Sequence, residues 1–387
     1  MRALGRSGAL VAACLLLAVA GCGHKGKVKL PTKLVDIKNP QVLPQEAWSH
    51  GIGKGSGKYY TGLQVAVEVD ALYVAEIGGS VYALDPKTGK EIWRSKTKAR
   101  IVSGPSVSGD LVLLGTLDGE VLALKRATGV IAWRTQASSE VLAMPVGSGN
   151  TVVVKSVDGR EFGLDAATGD RRWSFDRNVP NLSLRGLSAP MISGNRVYIG
   201  FDSGKLAALN LSDGAVAWEQ IISVPTGRSE LERLTDIDAD LLLGSTGLFV
   251  VSYGGDLALV DTDTGDSRWR RSVKSYTGMA LGGDKLFVTD ADGLVWALDA
   301  ETGAAAWKQE GLKYRMLSPP AYYKGYVVVG DYKGYLHWLS PSDGSLVGRT
   351  RLGSRPIIAP PTSSDDLLYV MTSGGKLAAY DLVPPKK

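Results

Sequence analysis

From about residue 46 onward, apolar and polar residues alternate in short runs with a period of two, the pattern of half-buried strands. DLVLLGTLDGEVLAL (110–124), NRVYIGFDSGKLAAL (195–209) and DKLFVTDADGLVWAL (284–298) each read as two strands about a glycine-containing turn. A shorter strand holding proline comes before them, as in VSGPSVSG, LAMPVGSG, LSAPMISG, LSPPAYYKG and IIAPPTSS. A fourth strand follows, ending on tryptophan. No stretch carries a sustained helical period, so the pattern predicts an all-β fold.

The fourth strand exposes a repeat. YALDPKTGKEIW (82–93), LALKRATGVIAW (122–133), FGLDAATGDRRW (162–173), AALNLSDGAVAW (207–218), ALVDTDTGDSRW (258–269) and WALDAETGAAAW (296–307) share an Asp-like turn start, a glycine, and Trp four residues later. HWLSPSDGSLVG (337–348) keeps Asp343-Gly344 but has Gly348 in the Trp slot. Carboxylates such as Asp85, Asp165, Asp261 and Asp299 suit the turn because they can accept from the backbone two residues on. With Trp48 at the start, the slots are Trp48, Trp93, Trp133, Trp173, Trp218, Trp269, Trp307 and Gly348, at spacings of 45, 40, 40, 45, 51, 38 and 41 residues. Four short strands per interval of this length make one propeller blade, so eight slots predict eight blades. Each Trp is expected to dock on the neighbouring unit.

The two ends of the array sum to one unit. Asp381 calls for a partner at position 389, past the last residue, while Ala47-Trp48-Ser49 is an outer strand with no inner strands before it. The expectation is an eight-bladed β-propeller of four-stranded antiparallel blades over residues 46–387, closed by the N-terminal strand joining the C-terminal blade. Such closure leaves no open edge.

Composition narrows what the ring could do. Hydrophobic residues make up 44% and glycine 48 of 387, enough for a large core with many tight turns. The 44 basic and 39 acidic residues are mixed along the chain, so a net charge of +5 gives no stripe for nucleic acid. Of three histidines, His24 precedes the ring, His50 follows the closing strand and His337 sits in the apolar stretch Tyr335-Leu336-His337-Trp338, where a satisfied buried imidazole is expected. No nucleophile–base set, P-loop or cysteine pair for zinc is present, so the catalytic and metal-ligand expectation is none.

Residues 1–21 have Arg2 and Arg6, an apolar run from Ala9 to Ala20 and small residues at the end, the layout of a signal peptide. Val19-Ala20-Gly21-Cys22 resembles the lipobox of bacterial lipoproteins, which implies acylation of Cys22. Cys14 lies in the removed segment, so no disulfide is expected. By the family sorting rule, Gly23 implies the outer membrane. Residues 22–45, with Pro, Gly and Lys but no period, read as a lipidated flexible tether.

The hairpin consensus is similar to the tryptophan-docking motif of quinoprotein dehydrogenases, but the adjacent cysteines and the acidic metal-binding cluster of those enzymes are missing, and shared packing does not imply shared chemistry. A more specific resemblance, covering Glu46 to Leu382, is to the BamB family, lipoprotein subunits of the outer-membrane β-barrel assembly (BAM) machinery. It is carried by Gly55-Ser56-Gly57-Lys58-Tyr59-Tyr60, by Asn181-Leu182-Ser183-Leu184-Arg185-Gly186 with Ser188-Ala189-Pro190, and by Gly227-Arg228-Ser229-Glu230-Leu231-Glu232-Arg233-Leu234-Thr235-Asp236-Ile237-Asp238. The resemblance implies a periplasmic, lipid-anchored, non-enzymatic scaffold without cofactor, one that binds the POTRA domains of BamA. The matching positions are Leu182, Leu184, Arg185, Asp236 and Asp238.

Counting within the repeat gives these residues one location. Arg185 stands five residues before Pro190, as Arg100, Arg315 and Arg355 stand before Pro105, Pro320 and Pro360. Leu241 takes the proline's place in the next blade, which puts Asp236 in the equivalent slot beside Arg185. The expected contact has Leu182 and Leu184 as apolar anchors, Arg185 as a donor fork, and Asp236 and Asp238 setting orientation by charge. Two other readings stay open: blade edges that hold unfolded outer-membrane proteins by strand addition, and a quinone-dependent enzyme.

Overall fold

The computed structural model describes residues 29–364 and 366–384. The chain forms two units, residues 1–31 and 32–387. Of the first only residues 29–31 are described, so the signal segment and Cys22 lie outside the described residues. All that follows concerns the second.

The second unit is an eight-bladed propeller, and among the described residues its regular elements are all strands. Blade 1 holds Ala66–Val67, Leu72–Ala75, Ser80–Leu84 and Glu91–Lys96, and blade 2 runs from Ile101–Ser108 to Ile131–Gln136. Blades 3 to 7 end on Arg171–Asp176, Val216–Ile221, Ser267–Ser272, Ala305–Gln309 and Leu346–Arg351. Within each, consecutive strands pair antiparallel in chain order. Blade 2 gains a fifth strand, Gly62–Leu63, parallel to Ile101–Ser108, which the sequence pattern did not announce. The middle strands are buried along their centres, and wholly so in Leu72–Ala75 and Ser80–Leu84. The outer strands alternate, as half-wet strands should.

The last blade is built from both ends of the ring. Leu43–Gly51 lies antiparallel on Lys376–Val383, with Trp48 opposite Ala379, and supplies the missing outer strand. The expected closure is therefore present, three residues longer at its start than the pattern suggested. Thr362 Oγ1 donates to the Val65 carbonyl at 3.3 Å, tying blade 8 to blade 1.

Seven tryptophans join neighbouring blades in one way. Trp48, Trp93, Trp133, Trp173, Trp218, Trp269 and Trp307 donate Nε1–H to the carbonyls of Pro86, Arg126, Ala166, Leu211, Thr262, Ala300 and Pro341, at 2.8–3.2 Å. Each acceptor follows the Asp-like residue of the next blade's turn. The indole lies against that turn's glycine: a Cβ on Gly89, at φ 68°, would fall 2.5 Å from the Trp48 ring, so only glycine provides both the backbone conformation and the space.

The exception at Gly348 has a physical reason. Blade 8 has no such turn to dock on, because its outer strand comes from the other end of the chain. Residues 41–42 occupy the space instead: Gln41 N–H donates to the Val347 carbonyl at 2.8 Å, and a Cβ on Gly348 would lie 2.8 Å from Val42 Cγ2. The tether is thus fixed well before the first strand. Thr32 N–H donates to the Lys313 carbonyl at 2.9 Å, Leu34 packs with the core between blades 6 and 7, and Arg349 Nη1 donates to the Val35 carbonyl at 2.8 Å. Flexibility across all of residues 22–45 does not hold for this part.

His337 is fully buried, as expected, with both ring nitrogens satisfied: Nε2 faces Asp331 Oδ2 at 3.1 Å and Nδ1 accepts from Arg349 Nε at 3.2 Å. That arrangement fits a neutral imidazole, and burial pushes its pKa down.

Candidate partner-docking site

Two long connections between blades meet on one rim. The first runs from Arg171–Asp176, the outer strand of blade 3, to Met191–Ser193, the inner strand of blade 4. Pro180, Gly186 and Pro190 deny it a regular ladder. The second leaves Val216–Ile221 and reaches Leu242–Gly244 in blade 5.

The second connection ends in an extended segment whose residues face opposite ways. Ile237, Ala239 and Leu241 turn into the core and are buried. Asp236, Asp238 and Asp240 turn to the first loop and accept from its backbone: Leu184 N–H to Asp236 at 2.5 Å, Leu187 N–H to Asp238 at 2.6 Å and Ala189 N–H to Asp240 at 2.7 Å. Three carboxylates at alternate positions therefore fasten residues 184–189. These charge-assisted bonds offset part of the cost of bringing the acids out of water.

The geometry corrects one expectation. Asp236 and Arg185 do share a rim, one residue apart through Leu184. Yet Asp236 is 0% and Asp238 5% exposed, so neither is placed to set a partner's orientation by direct charge. Burial pushes the Asp236 carboxyl up to about 6 and Asp238 up to about 7, each opposed by the backbone N–H it accepts from. Their role in the fold is to hold the loop.

What the loop presents outward is apolar and cationic. Leu182 is 45% exposed and Leu184 half-buried. Arg185 adopts the left-handed conformation at φ 71°, and its side chain, 62% exposed, donates from Nη2 to Glu140 Oε1 at 3.1 Å. One guanidinium edge is engaged and the rest faces solvent. Beside the loop, a cavity of about 130 Å³ opens between Tyr60, Met144, Leu187, Asp240, Tyr276 and Met316.

Sequence reasoning missed four contributors. Asp240 completes the alternation begun by Asp236 and Asp238, and counting two residues further would have found it. Lys155 and Glu161 stand in blade 3 where the aligned repeats have apolar or small residues. Glu140, the acid holding Arg185, left no signal in the repeat. Among the described residues no three His, Cys, Asp or Glu side chains converge as ligands for a metal.

The family model described as outer membrane protein assembly factor BamB matches residues 45–309 and 311–383. Outer membrane protein assembly factor BamB of Pseudomonas aeruginosa is 44% identical over 95% of this chain and 97% of its own length. That of Escherichia coli is 33% identical over 87% and 88%. Among solved structures, BamB from Moraxella catarrhalis aligns with a TM-score of 0.80 at 27% identity, over 87% of this chain and 99% of that one. A quinohemoprotein alcohol dehydrogenase from Comamonas testosteroni aligns at 0.71 with 13% identity, a likeness of fold alone. A chain matched by this family model over nearly all of residues 45–383, with relatives 33–44% identical over most of both lengths, belongs to the BamB family of outer membrane protein assembly factors.

Proposed function

We propose that this protein is a non-enzymatic scaffold of outer-membrane β-barrel assembly, docking through Leu182, Leu184 and Arg185 onto the POTRA domains of BamA. The observation that carries the reading is the combination of an exposed Leu–Arg loop with three carboxylates, two of them buried, spent on holding it. An apolar anchor beside a partly free guanidinium, presented by a fixed backbone, is the composition of a docking hot spot, because little ordering entropy is left to lose on binding. Asp236 and Asp238 act through the loop backbone and not by touching the partner. Residues 1–21 are the lipoprotein signal, Cys22 carries the lipid, and the segment that follows keeps the ring at the periplasmic face of the outer membrane.

Co-purification of BamA with Arg185→Glu and with Leu182→Asp is the test. Both variants should fold as the parent does and fail to retain BamA. Retention of BamA by both would overturn the reading. Loss of captured unfolded outer-membrane proteins with BamA retained would transfer the site to clients.

A further inference from the structure

In seven blades, the end of the second strand faces an apolar residue of the third across a small or uncharged partner: Ala75 with Val81, Gly115 with Val121, Gly200 with Leu206, Val251 with Leu257, Thr289 with Val295, Gly330 with Leu336, and Met371 with Leu377. Blade 3 alone has charges there, Lys155 with Glu161. Both are buried, at 6% and 0% exposed.

They do not bond to each other. Lys155 Nζ crosses to blade 4 and donates to the Gly200 carbonyl at 2.7 Å, while neither oxygen of Glu161 has a hydrogen-bond partner. A cavity of about 20 Å³ lies among Lys155, Glu161, Arg177, Arg185, Gly186 and Asp202. It sits beneath the docking loop: a Cβ on Gly186 would fall 2.8 Å from Asp202 Oδ1 and 3.3 Å from Lys155 Nζ. Arg177, where the loop begins, pairs with Glu219 and leaves its Nε without a partner.

We propose that Lys155 and Glu161 are positioning residues for the docking loop: the ammonium on the Gly200 carbonyl supports Gly186, and ionisation of Glu161 draws it across the cavity and loosens the loop. A buried carboxyl with no donor prefers its neutral form, and burial pushes Glu161 up to about 8 despite the nearby Lys155. The charged groups around Glu161 are Lys155 from the paired strand, Asp158 from the turn between them, Asp176 and Arg177 from the outer strand and its exit, Asp202 from blade 4 and Arg185 from the loop. Their signs nearly balance, so no fixed excess of positive charge already holds Glu161 ionised. Once ionised, it offers Lys155 an ion pair in place of a neutral carbonyl, and charge-assisted bonds are the stronger kind. The cavity leaves room for the move.

This proposal rests on the docking reading only for its consequence, and the test separates the two. Amide hydrogen exchange of residues 182–187 is followed in the free protein and corrected for the intrinsic rate. It should rise about tenfold between roughly pH 6.5 and 9 in the parent, the size expected of a one-unit linkage. Glu161→Gln, a neutral isostere, should lose the upper part of that rise, around pH 8, keeping only what Asp236 and Asp238 contribute lower down, and Lys155→Met should exchange fast throughout. A parent profile no steeper above about pH 7.5 than that of Glu161→Gln, or unchanged protection in Lys155→Met, would overturn the proposal. BamA capture should weaken more above about pH 7.5 for the parent than for Glu161→Gln. If exchange switches while capture does not follow, the docking reading fails and the positioning role stands.

Discussion

Arg315 and Arg185 occupy the same slot of the repeat, five residues before a blade-entry proline, and the ring uses them in opposite ways. The Arg315 side chain is 6% exposed: Nε and Nη2 donate to Asp331 Oδ2 at 2.8 and 2.6 Å, and Nη1 donates to the Thr32 carbonyl at 3.0 Å. Asp331 in turn accepts from His337 and from the backbone of Lys333 and Tyr335. Arg185 has no such cage. The turn acid that would meet it in its own blade, Asp202, lies against Gly186 near Lys155, and Arg185 reaches back to Glu140 instead. Arg100 is intermediate, exposed but paired with its own turn acid, Asp118. The slot supplies an arginine near the rim; whether it becomes mortar or a handle is decided by which acid is free to receive it.

The sharpest way to break the comparison is to remove each head group. Arg315→Ala leaves Asp331 buried beside His337 without its cation, and breaking a buried pair from one side costs about 3–5 kcal/mol. Urea denaturation should show a loss of that order. Partner capture at low temperature, where the ring is still folded, should be little changed. A loss below about 1 kcal/mol would mean that the cage is not what holds this corner.

Asp236→Ala comes next. It strands the Leu184 N–H and removes one of three loop fasteners, for about 1–3 kcal/mol, and BamA capture should fall with it, although Asp236 is buried. Asp238→Ala should behave in the same way through Leu187. A variant that keeps parental loop exchange yet loses capture would show instead that the carboxylate meets the partner directly.

Much of this was legible in the residues. The Trp ladder and its spacing gave the blade count, and the two incomplete ends gave the closure, because strand geometry and docking are local and repeat. The rim was legible as a place but not as a division of labour. Asp236 and Asp238 look like exposed charges in one dimension; their burial depends on backbone N–H groups some fifty residues away, which no local pattern records. Gly348 looked like a lapse in the repeat, and only the path of residues 41–42 accounts for it. Lys155 and Glu161 could have been found by aligning the blades, since a charge pair at a buried register position is a departure visible in sequence.

A pH series sharpens the contrast at smaller cost. Asp236, Asp238 and Glu161 are all raised above ordinary carboxyls by burial, so the folded chain holds their protons more tightly than the unfolded one. Their stabilising contribution is complete below the unfolded values and is lost as pH rises through about 6, 7 and 8. His337, pushed down, works oppositely but only as pH falls below its ordinary value, and Asp261, pushed down to about 2, has finished titrating long before. The melting temperature should therefore decline between roughly pH 6.5 and 9. Glu161→Gln should remove the upper part of that decline, and a flat melting profile in the parent would contradict the burial of these groups.

The smallest effect on stability belongs to the residue expected to matter most for docking. Arg185→Ala removes one exposed contact to Glu140, and exposed pairs contribute well under about 1 kcal/mol. Its melting curve should lie within error of the parent, while a truncated hot-spot arginine typically costs about 2 kcal/mol or more in binding, roughly thirtyfold in affinity. Glu140→Gln separates handle from tie. If Glu140 only parks the guanidinium, freeing it should leave capture of BamA equal or slightly stronger. If Arg185 must be aimed by Glu140 before the partner arrives, capture should weaken in Glu140→Gln as well, and by less than in Arg185→Ala, because an unaimed donor can still find its acceptor at an entropic cost.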